Sequence, residues 1–209
     1  MPHPLDLQHS VFKYFLKRAR KSPHLLKAGV LAWLRGWLYR IKFYITGQRF
    51  HAGKWFRVYG QFHVTGPGQV FFGDNCLVIS NAIKPVCIRT FAHDATVSVG
   101  DHAGLNGTSI QCVKLISIGR LSNIADAYIT DSPAHSLNKR RRMETIENMS
   151  KSPVIIGKNV WISVQVVILD GVNIGDNTVI GACSLVRKDV PANVFAAGNP
   201  LAIISDIQD

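Results

Sequence analysis

Residues 155–186 read IIGKNVWISVQVVILDGVNIGDNTVIGACSLV, and in them an aliphatic residue returns at every sixth position. Ile156, Ile162, Ile168, Ile174, Ile180 and Val186 keep the step, and Gly157, Gly175 and Gly181 follow three of them. Val154, Val160, Val166 and Val172 stand two residues earlier in their units. A helix repeats at 3.6 residues and a half-buried strand at two, so neither singles out every sixth site. Six residues suffice for one short strand and one tight turn, and three such units close a triangular coil. The aliphatic side chain points inward and stacks on its counterpart one coil later. Gly, Asn and Asp nearby, as in Gly175-Asp176-Asn177, tolerate the turn. Coils stacked this way share one core, the general logic of a solenoid.

Upstream the rhythm is weaker. It shows at Phe72-Gly73 and Val78, at Val99-Gly100 and Leu105, and at Ile118-Gly119 and Ile124. Val99 and Ile118 are nineteen residues apart, one more than three sixes, which predicts a single-residue bulge or turn insertion. After Thr130 the rhythm stops, and residues 130–150 read TDSPAHSLNKRRRMETIENMS. A long loop that interrupts a compact repeat is expected to be functional. These boundaries divide the chain into a basic, aromatic helical extension (1–58), a β-helix (59–194) with a catalytic loop at 131–152, and a closing segment (195–209).

The chain of 209 residues carries a net charge of +11, and the excess has one address. Residues 1–60 hold twelve Lys or Arg and one acid, Asp6; the remaining 149 hold twelve of each sign. Such asymmetry calls for an anionic partner at that end. Residues 6–21 read as a helix capped by Asp6, with Leu7, Val11 and Phe15 at i+4 spacing. A second helix is predicted from Pro23 to about Thr46. Its apolar face is Val30, Trp33, Leu34, Trp37, Leu38, Ile41 and Ile45, with Arg35, Arg40 and Lys42 between. Aromatic and basic residues mixed this way suit a helix in a membrane interface, and equally one packed on its own domain or on a sister subunit. No apolar run near the N-terminus approaches the ~20 residues of a spanning helix, and no secretory signal is evident. A cytoplasmic protein is expected, with peripheral membrane contact through residues 1–50 at the inner face.

Cys76, Cys87, Cys112 and Cys183 show no metal-ligand spacing and read as buried, reduced thiols. His63, His93, His102 and His135 in the repeat region contain no H-x₄-H pair, so no metal site is expected. The basic end contains no nucleic-acid module, and its aromatics fall on helical faces with aliphatics, so no nucleic-acid partner is expected.

The stretch 154–204, which includes RKDVPANVFAAGNP at 187–200, resembles the hexapeptide-repeat acyltransferases, and within them the maltose, galactoside and polysaccharide O-acetyltransferases. The resemblance is dense there, patchy over 70–135 and absent from the basic N-terminus. It implies a mainly β fold, a left-handed parallel β-helix, a homotrimer, and acetyl-CoA held between neighbouring subunits. It also implies residue roles. His135, in Thr-Asp-Ser-Pro-Ala-His, matches the family's general base; imidazole has a pKa suited to taking a proton from a sugar hydroxyl. Asp131 is the nearest carboxylate to orient it, with Asp126 second and a turn-stabilising role for Asp131 the alternative. Trp161 matches the tryptophan lining the pantetheine slot. Ser163 and Val164 stand where the family carries Gly and a small residue, which narrows the slot. Ala182 matches a second slot contact, made through the backbone. Arg187 and Lys188 match positions near the CoA phosphates. Asn106 is a candidate acceptor contact, Cys183 a structural residue, and the run Lys139–Arg142 either a phosphate contact or a solvated loop.

The expected activity is therefore direct acetyl transfer from acetyl-CoA to a sugar hydroxyl of a cell-surface polysaccharide or its lipid-linked precursor. A nucleotide-sugar N-acetyltransferase is the nearest variant. A non-enzymatic β-helix scaffold is the reading from another class.

Overall fold

The computed structural model describes residues 23–80, 84–133, 139 and 151–208. The helix expected over 6–21 lies outside them. The second expected helix is present as α1 (Pro23–Ile45). Six triangular coils follow. The first is β1 (Arg49–Ala52), β2 (Arg57–Tyr59) and β3 (Phe62–Thr65); the second is β4 (Gln69–Phe72), β5 (Leu77–Ile79) and β6 (Val86–Thr90). The third is β7 (Thr96–Val99), β8 (Gly104–Asn106) and β9 (Ser109–Cys112); the fourth is β10 (Leu115–Ile118), β11 (Asn123–Ala125) and β12 (Tyr128–Thr130). The fifth is β13 (Val154–Ile156), β14 (Trp161–Ile162) and β15 (Val167–Ile168); the sixth is β16 (Asn173–Ile174), β17 (Val179–Ile180) and β18 (Leu185–Val186). β19 (Val194–Ala197) and β20 (Ala202–Asp206) close the end.

The first strands of all coils stack into one parallel sheet, the second strands into another and the third strands into a third. β19 joins the second sheet in parallel, and β20 turns back on it antiparallel. Strands lie ~4.8 Å apart in such a ladder, so each coil advances the column by that step. Ile156, Ile162, Ile168, Ile174, Ile180 and Val186 all point inward and are buried. In the second sheet Val58, Val78, Leu105, Ile124, Ile162 and Ile180 occupy one inward register. The six-residue step is thus the spacing at which each of the three walls contributes one core side chain.

The first coil begins at Arg49, ten residues ahead of the change in rhythm read at Tyr59, because β1 pairs with β4 from Arg49 to Ala52. Its filling hides it. Phe50, Phe56, Phe62 and Phe72 plug the open end of the column with Phe43 of α1, ring centroids 4.9–6.1 Å apart. A solenoid end needs such a cap, since its last coil has no neighbour to cover it.

The nineteen-residue step also differs from expectation. From Val99 the inward residues follow at six (Leu105), five (Ile110) and eight (Ile118), so a shortened corner and a lengthened corner nearly cancel. The two extra residues fall in the turn between β9 and β10. At the corner between first and second sheets the turn residue is left-handed in each of the six coils: Trp55, Asn75, His102, Leu121, Asn159 and Asn177 have φ of 54–64°. Asn159, Asn177 and Asn193 stack into a side-chain ladder, Nδ2 to Oδ1 at 3.0 and 2.8 Å. Asn is among the few L-residues that tolerate this conformation.

α1 lies across the plugged end, against β1 and β2. It packs through small residues: Ala32 is fully buried, and a Cβ on Gly36 would sit 2.2 Å from the Phe56 carbonyl oxygen. The expected apolar face is not the packed one. Trp33, Leu34, Trp37, Leu38, Ile41 and Ile45 all remain exposed. The small-residue ridge wins because it lets the helix backbone approach the coil closely enough for Phe43 to enter the plug.

Candidate active site

The loop that breaks the rhythm leaves the column after β12, at the corner between third and first sheets. Asp131 forms its root. Its side chain is fully buried, and Oδ1 accepts the Val113 N–H at 2.7 Å. Oδ2 accepts the N–H groups of Lys114 and Leu115, both at 2.7 Å, and the Cys112 thiol at 3.5 Å. The two residues that lengthen the β9–β10 turn are thus held by this carboxylate. Oδ1 takes one of these donors and Oδ2 the other three. These contacts put Asp131 in service of the backbone of 113–115, the turn-stabilising alternative. The Asp131 carbonyl accepts the Ser152 N–H at 3.0 Å, and the Ser152 carbonyl accepts that of Gly171 at 3.0 Å. Thr130 Oγ1 donates to the Ser132 carbonyl at 2.7 Å. Both ends of the loop are pinned together on a rigid coil. His135 and Arg140–Arg142 lie outside the described residues; Lys139 is exposed.

A second group of expected residues gathers on the outer surface of the second sheet. Trp161 pairs with Asn123 below it and with Val179 above. It is exposed over 55% of its surface, and Val164 over 46%. The other large apolar side chains of the fifth and sixth coils are buried or half-buried. Ser163 is half-buried, and Ala182 is exposed in the coil above. Asn106 lies two coils below Ser163 on the same face. Its Oδ1 is buried and has no hydrogen-bond partner among the described residues. An unmet acceptor of this kind costs free energy unless a donor arrives, which suits a ligand hydroxyl.

Asp126, the second orienting candidate, turns the corner between second and third sheets with φ 51°. Its Oδ1 pairs with Lys84 Nζ at 2.8 Å, and its N–H donates to the Asn106 carbonyl at 2.6 Å. Gln165 and Cys183 continue this corner with φ 57° and 58°. Cys183 is exposed and Cys87 half-buried, contrary to the expectation of four buried thiols; Cys183 Sγ lies 3.4 Å from Gln165 Oε1. Cys76 and Cys112 are buried as expected. Burial pushes the Cys76 thiol up to about 11. Burial, then the Asp131 charge, pushes Cys112 higher still.

Trp161, Ser163, Val164, Ala182 and Asn106 therefore share one face. Arg187 and Lys188 do not: they are exposed beyond β18, at the corner after the third sheet. The root of the His135 loop stands at that same corner, two coils below. No group of three His, Cys, Asp or Glu side chains placed to hold a metal ion occurs among the described residues. The sequence reading missed Lys84, whose pairing with Asp126 joins the second and fourth coils. No local motif marks it.

Comparison with known proteins gives a consistent set. Residues 153–188 match the family described as bacterial transferase hexapeptide (six repeats). The galactoside O-acetyltransferase of Escherichia coli K12 is 49% identical over 120 residues, 57% of this chain and 49% of that protein. A putative colanic acid biosynthesis acetyltransferase of the same organism is 30% identical over 110 residues, 53% of this chain and 58% of that protein. The chain thus spans about half the length of the curated relatives it matches. Among solved structures, a hexapeptide-repeat acetyltransferase of Vibrio cholerae complexed with acetyl-CoA superposes with a TM-score of 0.55 at 27% identity, covering 76% of this chain and 72% of that one. A galactoside acetyltransferase in complex with CoA gives 0.51 at 29%, covering 77% and 66%.

Proposed function

We propose that this chain, a hexapeptide-repeat protein similar over its solenoid to sugar acetyltransferases, moves an acetyl group from acetyl-CoA to a sugar hydroxyl of a cell-surface polysaccharide or its lipid-linked precursor. The observation that carries the reading is the open surface of the second sheet. Trp161 and Val164 stay exposed there on a rigid wall, two coils above the unmet acceptor of Asn106. An aromatic ring held open on a rigid element suits an extended apolar chain such as pantetheine. Solved relatives named for acetyl-CoA and CoA complexes support the donor.

In this reading His135 takes the proton of the attacking hydroxyl as oxygen bonds to the thioester carbon. The carbon–sulfur bond breaks, and the proton passes on to the departing thiolate. Asp131 acts as a positioning residue: it fixes the root from which the histidine loop departs. Trp161, Ser163, Val164 and the backbone at Ala182 hold the donor chain, and Arg187 and Lys188 meet its phosphates. The loop root and Trp161 stand on different sides of the coil, which supports a site completed by a neighbouring copy in a homotrimer.

The test is transfer of radiolabelled acetyl from acetyl-CoA to soluble and lipid-linked glycans. Label released from the product by mild alkali marks an ester and supports the proposal. Alkali-stable label marks an amide and an amine acceptor. No transfer to any glycan contradicts the reading.

A further inference from the structure

Most of the exposed large apolar side chains among the described residues lie on α1. Residues advance 100° each around a helix, so Ala32, Gly36 and Phe43 define the packed side, and Trp37, Leu34 and Ile41 lie opposite it. Trp37 is 54% exposed, Leu38 56% and Ile45 75%. Trp55, at the nearest corner of the first coil, stands 6.3 Å from Trp33 and extends the apolar surface onto the solenoid.

Shallow grooves run along both flanks. One, of about 320 Å³, is lined by Arg35, Leu38, Tyr39, Lys42 and Gly60. The other, of about 350 Å³, is lined by Trp33, Trp37, Arg40, Lys54, Trp55 and Phe56. Each brings two cations together beside apolar rings. Arg40 is already spoken for by the Gly53 carbonyl, which leaves Lys54 as the open cation of the second groove. Between residues 23 and 60 there are seven Lys or Arg and no acid. A second copy apposed through this face would set these cations against the same cations, with no carboxylate between them.

We propose that α1 lies flat on an anionic phospholipid bilayer, with Trp37, Leu38 and Ile41 entering the headgroup–acyl boundary and headgroup phosphates seated in the flanking grooves. The chemistry matches on three counts: an apolar arc opposite the packed face, tryptophans at its edge, and cations bordering both sides. No described helix is long and apolar enough to cross a membrane, so the contact is parallel to the surface. The solenoid would then stand with its plugged end against the lipid. This inference is independent of the acyl-transfer reading.

The experiment is co-sedimentation of the full chain with vesicles of phosphatidylglycerol and phosphatidylethanolamine, and with pure phosphatidylcholine vesicles, at low and high salt. Wild type is expected to bind the anionic vesicles, less so as salt rises. The double variant Trp37→Glu/Ile41→Glu is expected to lose about tenfold or more in partitioning. Both side chains are exposed, so an unchanged thermal transition certifies its fold. Failure of wild type to bind anionic vesicles, or equal binding to phosphatidylcholine, overturns the proposal. So does undiminished binding of the double variant, which would move the lipid contact to the basic segment before Pro23. Sedimentation velocity without lipid supplies a further arm: an oligomer present in wild type and lost in the double variant would mean that a second copy covers this face.

Discussion

The Ser152 N–H donates to the Asp131 carbonyl at 3.0 Å, so the two ends of the interrupting loop meet on one residue. The same residue's carboxylate holds three backbone N–H groups of the turn between β9 and β10. Asp131 thus joins three successive coils: the third through that turn, the fourth as its own, and the fifth through Ser152. Removing the carboxylate leaves three N–H donors without their acceptor. Asp131→Ala is expected to lower unfolding stability by about 2–4 kcal/mol, and Asp131→Asn by less, because its amide oxygen can still accept. Urea denaturation of the two variants checks the order; equal midpoints for Asp131→Ala and wild type would remove the anchoring role.

The thiols should divide by environment. Cys183 is exposed and is expected to react with Ellman's reagent in the native state. Cys76, held up to about 11 from an ordinary 9.0, is about one part in a thousand thiolate at pH 8 and buried as well. Cys112 should be equally silent until the protein unfolds. The linkage has a definite sign. Above pH 9 the unfolded chain releases protons that these two folded thiols retain, so their contribution to stability is complete below 9.0 and declines as pH rises beyond it. Native-state labelling of Cys112 ahead of Cys183 would contradict the assignment.

Gly36 should be intolerant of any side chain. A Cβ there meets the Phe56 backbone at 2.2 Å, so Gly36→Ala must lift α1 from the plug even though alanine favours helix. A loss of about 1–3 kcal/mol is expected, against nearly none for Leu38→Ser on the exposed side. Thermal unfolding of both variants checks the contrast.

Much of this architecture can be read in the chain because a hexapeptide rhythm has few physical realisations. Ile156 to Val186 leave no alternative, and the loop at 131–152 announces itself by silence. The first coil escapes the pattern because its core is a cluster of phenylalanines, chosen to plug an end rather than to stack. The α1 orientation escapes for a related reason: periodicity finds the hydrophobic face of a helix, and here close approach through Ala32 and Gly36 outweighs it. At the candidate site, Trp161 and Val164 are picked out by the resemblance and are exposed in the structure, whereas the hydrogen bonds of Asp131 and Asp126 depend on neighbours seventeen and forty-two residues away, Lys114 and Lys84.

The proposed donor contact at Trp161 can be tested kinetically. Trp161→Ala is expected to raise KM for acetyl-CoA by roughly tenfold, the equivalent of about 1.4 kcal/mol of lost contact, with the fold unchanged because the ring is exposed. Val164→Ser should lower KM if Val164 narrows the slot. Steady-state kinetics with acetyl-CoA varied at fixed acceptor measures both; an unchanged KM in Trp161→Ala would place the donor elsewhere.

Thiol release from acetyl-CoA by wild type and His135→Ala decides whether His135 is the base of the proposed acyl transfer. Release by wild type is expected to depend on acceptor, and His135→Ala to lose about 10²–10⁴-fold in kcat with acetyl-CoA binding retained. Equal turnover by the two proteins would contradict that role.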